Sequence, residues 1–268
     1  MPKRANGAPD SADRHVRTTC AIAVMAKASI AGRTKTRLVP PLTADEAARL
    51  NTAFLRDAAD NILSAAAFAS IKGWVAFSPA GAETFFRSHL PDGISLMETV
   101  APTLGGCLHH AAATLLGAGH GAVCLLNADS PTLPVAYLAT AATALAGPGD
   151  RIVLGPSTDG GYYLIGMRRL HAGLFEDIAW STGQVLSQTL ARAQALGIAV
   201  VQLPAWYDVD DHDTLELLVR EVLDGRPFRD VDTAAPAVWT RGYLAALVRD
   251  FGLRERIGAG RDEGGRAP

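Results

Sequence analysis

The sequence predicts an α/β fold: a single three-layer α/β/α domain built on a mostly parallel central sheet. Three observations carry this. Short apolar runs alternate along the chain with longer stretches whose apolar residues recur at helical spacing. Strands separated by helices favour parallel pairing, because a parallel neighbour is reached only through a crossover connection. The 268 residues, 49% hydrophobic and 19% charged, suffice for one sizeable core.

Residues 1–18 are polar and charged, without the apolar segment of a signal peptide, and are expected to form a disordered tail. The first strand is expected at 20–25. Thr43-Ala-Asp-Glu46 then has the form of a capping box, and Leu50, Phe54, Leu55, Ala58, Ile62 and Leu63 follow at helical spacing. Strands are expected at 71–77, 94–97, 122–126, 151–154, 162–167 and 198–203, and helices at 105–117, 134–146, 182–196 and 211–223. The main domain therefore spans 19–225. A helical extension over 226–257 contains Pro236-Ala-Val-Trp239 and Tyr243-Leu-Ala-Ala-Leu-Val248, and the Gly-rich, charged end at 258–268 is expected to be a second disordered tail. No internal repeat and no run near the ~18 apolar residues of a membrane span is found.

A net charge of -2 gives no basis for general attraction to nucleic acid or an anionic membrane. Cys20, Cys107 and Cys124 are an odd number without metal-ligand spacing. They read as reduced, buried thiols of a cytoplasmic protein. Against this even background the loop after the first strand stands out. It carries Lys27, Arg33, Lys35 and Arg37, with no acid before Asp45. A charged turn is ordinary on a surface, but four cations so close repel one another unless they meet an anion, so the loop reads as a binding site for a small anionic ligand such as a phosphate. Neither Gly-x-x-x-x-Gly-Lys-[Ser/Thr] nor Gly-x-Gly-x-x-Gly is present, so it is not a P-loop or a dinucleotide loop.

Three further segments carry carboxylates. Asp129 follows an apolar strand and precedes Ser130-Pro131, at the carboxyl edge where α/β sheets bind ligands. It is placed either to cap a helix or to meet a divalent cation and a diphosphate. In Asp208-Val-Asp210 the two acids share one face of an extended segment while Val209 faces inward, and Mg²⁺ bound by one or two carboxylates fits Asp129 joined by Asp208 or Asp210. Asp211 and Asp213 are expected to cap the next helix, and His212 reads as a surface residue. Asp159-Gly160-Gly161-Tyr162 has the form of a common turn. It is also a place where two glycines let backbone approach a sugar, with Asp159 accepting from a hydroxyl.

Together these segments resemble the DUF2064 family of GT-A-like glycosyltransferases, in the nucleotide-diphospho-sugar transferase superfamily and related to phospholactate guanylyltransferases and molybdopterin nucleotidyltransferases. The resemblance covers about residues 20–222. It rests on Lys27 with Lys35-Thr-Arg-Leu38, on Ala128-Asp129-Ser-Pro131, on Gly155-Pro-Ser-Thr-Asp-Gly-Gly-Tyr-Tyr163, on Trp180-Ser-Thr182 and on Asp208-Val-Asp210. It implies a GT-A, Rossmann-like domain with a nucleotide over the first strand and Mg²⁺ or Mn²⁺ at Asp129, Asp208 and Asp210. Ser130, Gly160, Gly161, Tyr162, Ser181 and Thr182 join the loop cations as binding residues. Where the family pattern is Gln-x-Gly-x-Leu-Gly-x-Arg, this chain keeps Leu104-Gly105 and lacks the Gln and the Arg.

Two transferase readings share this machinery, with Asp129, Asp159 and Lys35 as the catalytic candidates. Loop cations and a metal can neutralise charge on a nucleoside diphosphate leaving a sugar, or on pyrophosphate leaving a nucleoside triphosphate. The first is favoured, with a nucleotide sugar and a small-molecule acceptor as partners: the loop has a single glycine, Gly32, and the family resembles glycosyltransferases. Nucleotidyl transfer from a triphosphate to a phosphorylated small molecule is the alternative. A phosphatase is disfavoured because Asp208-Val-Asp210 continues into Asp211-His212, and a dead binding module because Asp129, Asp208 and Asp210 are all retained.

Overall fold

The computed structural model describes residues 18–230 and 233–264, with side chains to residue 259. Seven strands form one sheet in the order β3-β2-β1-β4-β6-β5-β7. They are β1 (Cys20–Lys27), β2 (Ile71–Ser78), β3 (Ser95–Glu98), β4 (Ala122–Leu126), β5 (Arg151–Pro156), β6 (Tyr162–Met167) and β7 (Ala199–Gln202). All neighbours pair in parallel except β6, which runs antiparallel to both β4 and β5. The helices are α1 (Ala44–Ala65), α2 (Glu83–His89), α3 (Leu104–Gly117), α4 (Val135–Ala146), α5 (Val185–Ala195), α6 (His212–Asp224), α7 (Val238–Phe251) and α8 (Leu253–Gly264). No helix among the described residues is long and apolar enough to cross a membrane.

β1 shows why the sheet needs a layer on each face. Ile22 and Val24 enter a core cluster with Leu50, Phe54 and Ile62 of α1, whereas Ala21 and Ala23 enter another with Leu108, Ala111 and Leu115 of α3. The two-residue period of a strand distributes one apolar run between both layers, the pattern of parallel sheets covered on both faces. The expected strands are all present, with ends shifted by a residue or two. The helix expected at 182–196 starts later, at Val185, because Thr182 Oγ1 turns back to the Ala179 carbonyl (2.7 Å) and Ser181 is left-handed (φ 63°). Helix α2 is an addition. The three cysteines are free thiols, two buried and one partly so.

Topology brings the chemistry-bearing segments to one edge. β1 and β4 end side by side, and β6, being antiparallel, begins at the same edge, so the loops at 28–35, 127–134 and 157–161 meet there. The chain after β7 is led to them by backbone bonds from Thr158 N to the Trp206 carbonyl (3.1 Å) and from Val209 N to the Asp129 carbonyl (2.9 Å). Trp206 and Tyr207 are buried and pin this segment: Trp206 Nε1 donates to Thr132 Oγ1 (3.3 Å), and the Tyr207 hydroxyl donates to Glu221.

The C-terminal extension is two helices, and the second continues through Gly264, past the tail boundary expected at 258. Gly252 closes α7 in the left-handed conformation (φ 59°), and buried Leu253 and Ile257 dock the next turns. Arg256 adds bonds to the Pro41 carbonyl (3.1 Å) and the Glu46 carboxylate (2.8 Å). Of the tails expected at 1–18 and 258–268, residues 1–17 and 265–268 lie outside the described residues. Helix α7 has no cap of its own, since Ala237 precedes it; buried Asp57 of α1 instead accepts from Trp239 N (3.0 Å) and Thr240 N (2.8 Å). Asp57→Ala should therefore lower unfolding free energy in urea by about 1–2 kcal/mol, the usual cost of a lost cap, while ligand binding at the distant sheet edge is unchanged. An unchanged midpoint would mean that α7 docks without this cap.

Candidate active site

The basic loop is shaped by backbone before its charges act. After Lys27 the chain turns at Gly32 (φ 73°), with Arg33 N and Thr34 N both donating to the Ile30 carbonyl at 3.0 Å. Lys35 is itself left-handed (φ 52°) ahead of a short 3₁₀ turn, Thr36–Leu38, anchored by fully buried Leu38. This sends Lys35 inward, its side chain 7% exposed, and leaves Arg37 outward at 69%. Lys35 Nζ donates to Asp129 Oδ1 (2.7 Å), Asp210 Oδ1 (2.8 Å) and the Val209 carbonyl (2.8 Å), and Arg37 reaches Asp210 Oδ2 (2.5 Å). Burial alone would lower the Lys35 pKa, but the charges of Asp129 and Asp210 outweigh it and hold the pKa above its ordinary value.

The third expected metal ligand behaves differently. Asp208 is pushed up to about 7, by burial first and then by repulsion from Asp159, Asp210 and Asp129. It is a carboxyl group crowded by like charges and outside the reach of Lys35. Asp159 is held in place by accepting from Gly161 N (2.8 Å). Gly160 is left-handed (φ 89°) and lies so close to Gly183 that a Cβ would overlap its carbonyl. Among the described residues no three acidic, His or Cys side chains converge tightly enough to hold an ion as they stand. Asp211 caps α6 with a capping box, as expected.

Two connected lobes flank the Asp129–Asp210 pair. The smaller, ≈ 360 Å³, is lined by Lys27, Arg33, Lys35 and Arg37 together with Asn51. The larger, ≈ 750 Å³, is lined by Asp159, Gly161, Tyr162, Ser181 and Thr182, with an apolar floor of Leu104, Leu108 and Trp180. Met25, Arg37, Ala128, Asp129 and Asp210 face both. Three expected residues line neither lobe. Ser130 is buried with its Oγ unpartnered, Gly160 serves backbone packing, and Asp208 is part-buried outside both linings. Asn51, Asn127, Met25, Leu104, Leu108 and Trp180 line the lobes without having been singled out as binding residues. The retained Leu104-Gly105 now has a local role: Leu104 is floor, and a Cβ on Gly105 would come 2.6 Å from Trp180 Nε1. The other large depression, ≈ 710 Å³ beside α4, is lined by apolar residues and threonines with no titratable group.

Residues 43–182 match the family described as "Uncharacterized protein conserved in bacteria (DUF2064)". The chain belongs to the DUF2064 family. A crystal structure from Desulfovibrio desulfuricans G20, provisionally named a nucleotide-diphospho-sugar transferase, is 26% identical, with a TM-score of 0.73 over 88% of this chain and 97% of that one. CMP:2-keto-3-deoxy-manno-octonic acid synthetase, crystallised with CTP, is 14% identical, with a TM-score of 0.52 over 78% of this chain and all (100%) of that one, and shares the fold. No curated protein matches the chain. The expected GT-A-like, Rossmann-like architecture is thus the architecture of this DUF2064 chain.

Gly105 offers a direct test of the larger lobe. Gly105→Val should displace Trp180, seen as a change in indole emission and near-UV circular dichroism, with a stability loss of about 1–3 kcal/mol from overpacking. An unaltered indole signal would show that Trp180 does not rest on this glycine.

Proposed function

We propose that this DUF2064 protein transfers a sugar from a nucleotide-diphospho-sugar to a hydroxyl of a small-molecule acceptor. The observation that carries this is the partition of charge between the lobes. The smaller lobe sets four cations against two carboxylates, Asp129 and Asp210, and Lys27 and Arg33 are exposed there without an ion pair among the described residues, which suits a diphosphate. The larger has three carboxylates, Asp129, Asp159 and Asp210, against the single cation Arg37, over an apolar and aromatic floor. That lining suits a hydroxylated, uncharged group better than a second phosphate.

A divalent cation fits the donor set. Carboxylate oxygens are the ligands Mg²⁺ and Mn²⁺ take, the Lys35 ammonium between Asp129 and Asp210 is a stand-in cation, and Asp208 is a further carboxyl lacking one. Asp129, Asp208 and Asp210 would hold it, and when bound it would supply Lewis-acid neutralisation of the diphosphate. The remaining steps belong to the chain. Lys27, Arg33 and Arg37 fix the phosphates, and Trp180 and Tyr162 exclude water from the face of the sugar. Asp159 accepts the hydroxyl proton as the acceptor oxygen bonds to the anomeric carbon. The bond from that carbon to the diphosphate breaks, its electron pair leaves with the nucleoside diphosphate, and the basic lobe stabilises the charge.

The nucleotidyl alternative draws support from the fold shared with a CTP-bound synthetase and from the four cations, which also suit a triphosphate. Product analysis separates the two. With a panel of UDP- and GDP-sugars, slow release of the nucleoside diphosphate is expected from at least one donor. Pyrophosphate release from a triphosphate in the presence of phosphorylated acceptors, with no diphosphate from any nucleotide sugar, would reverse the order. Within the favoured reading, Lys27→Ala and Arg33→Ala should each weaken nucleoside diphosphate binding by about tenfold. Asp159→Asn should lower turnover by about 100-fold with donor affinity unchanged. Equal turnover by Asp159→Asn would remove its assigned role.

A further inference from the structure

The three contacts of Lys35 use the whole donor capacity of its ammonium. An –NH₃⁺ group has three N–H bonds, and here they are directed at Asp129 Oδ1 (2.7 Å), Asp210 Oδ1 (2.8 Å) and the Val209 carbonyl (2.8 Å). In this arrangement Lys35 has no donor left for a phosphate. Its Nζ also lies between Asp129 and Asp210, two of the carboxylates that would hold a divalent ion, and an ammonium and a metal ion cannot share that gap. The side chain is 7% exposed, so solvent does little to screen the conflict.

We propose that Lys35 is a resident counter-ion: it closes the Asp129–Asp210 gap to a free divalent metal and gives it up only when a phosphate oxygen draws the ammonium into the smaller lobe. The lobe that holds the other three cations is lined by Lys35 as well, so the two positions of the ammonium adjoin. Departure of Lys35 alone would leave Asp129 unpaired and Asp210 with only the outward Arg37, and entry of a metal alone would meet a fixed positive charge. The two events are therefore coupled, and metal and nucleotide load together. The inference rests on the metal-assisted reading proposed above.

The test uses Mn²⁺ alone, followed by electron paramagnetic resonance of the free ion and by calorimetry, on the full chain without nucleotide. Lys35→Met should bind bare Mn²⁺ at least tenfold more tightly than the wild type, and adding Asp129→Asn to it should remove the gain. Lys35→Gln, which keeps a hydrogen-bond donor of similar reach without the charge, should show the same direction and serves where the Met variant fails to fold. In the wild type, adding UDP or GDP should raise Mn²⁺ affinity by at least tenfold. Bare Mn²⁺ bound as tightly by the wild type as by the folded Lys35 variant would overturn the counter-ion role and leave the metal reading standing. No Mn²⁺ bound by any form, with or without UDP or GDP, would overturn both.

Discussion

The contact on which the site depends is the Lys35 ammonium held between Asp129 and Asp210. Three segments distant in sequence meet at that one nitrogen: the loop after β1, the turn after β4 and the strand-like segment after β7. Without it, of the four carboxylates gathered at the edge, Asp129, Asp159, Asp208 and Asp210, Asp210 alone would keep an ion pair among the described residues, with the outward Arg37. Asp208, which has no ion pair with Lys35, is pushed up to about 7 by burial first and then by these neighbouring carboxylates. A buried ion pair often contributes little net stability, because both partners lose hydration, whereas removing one partner costs roughly 3–5 kcal/mol. Since Asp129 and Asp210 remain 31% and 28% exposed, the cost here falls at the low end of that range. The pair is better understood as a registering device than as a source of stability.

That device works because the rest of the fold delivers its parts rigidly. Buried Trp206 and Tyr207 lock the segment that carries Asp208 and Asp210, and Val209 N closes the backbone onto the Asp129 carbonyl. The antiparallel β6 has a positional consequence of its own: a parallel strand in that place would have put Asp159-Gly160-Gly161 at the opposite edge. One reversed strand thus adds the larger, acidic lobe to the basic one.

Much of the architecture was legible in local sequence, for local reasons. Thr43 with Glu46 and Asp211 with Thr214 form capping boxes that specify helix starts within four residues, and strands buried on both faces announce themselves as apolar runs. The basic loop was legible too, because charge density needs no tertiary context. What local pattern could not give was direction. Lys35 and Arg37 differ by two positions in a stretch of similar residues, yet one is interior and the other exposed. The difference comes from a left-handed residue and a buried Leu38, neither of which leaves a periodic signal. Nor could the pattern show Trp180 lying on Gly105, a contact between distant segments that a glycine marks only by lacking a side chain. Helix α8 was hidden by its glycines, because propensity weighs them and not the buried Leu253 and Ile257 that dock its first turns.

The same contact constrains what the cleft can discriminate. Lys27 and Arg33 are available to any anion that approaches, so on their own they would bind phosphate with little selectivity. Lys35 is different, because engaging it means undoing three hydrogen bonds and leaving two carboxylates to be neutralised. A ligand that brings only negative charge gains a cation and exposes an acidic pair, with little net benefit. A phosphate accompanied by a divalent ion satisfies both sides of the exchange. On the counter-ion role proposed above, selectivity for a metal–diphosphate over a bare anion comes from this exchange, before any contact with base or sugar is made.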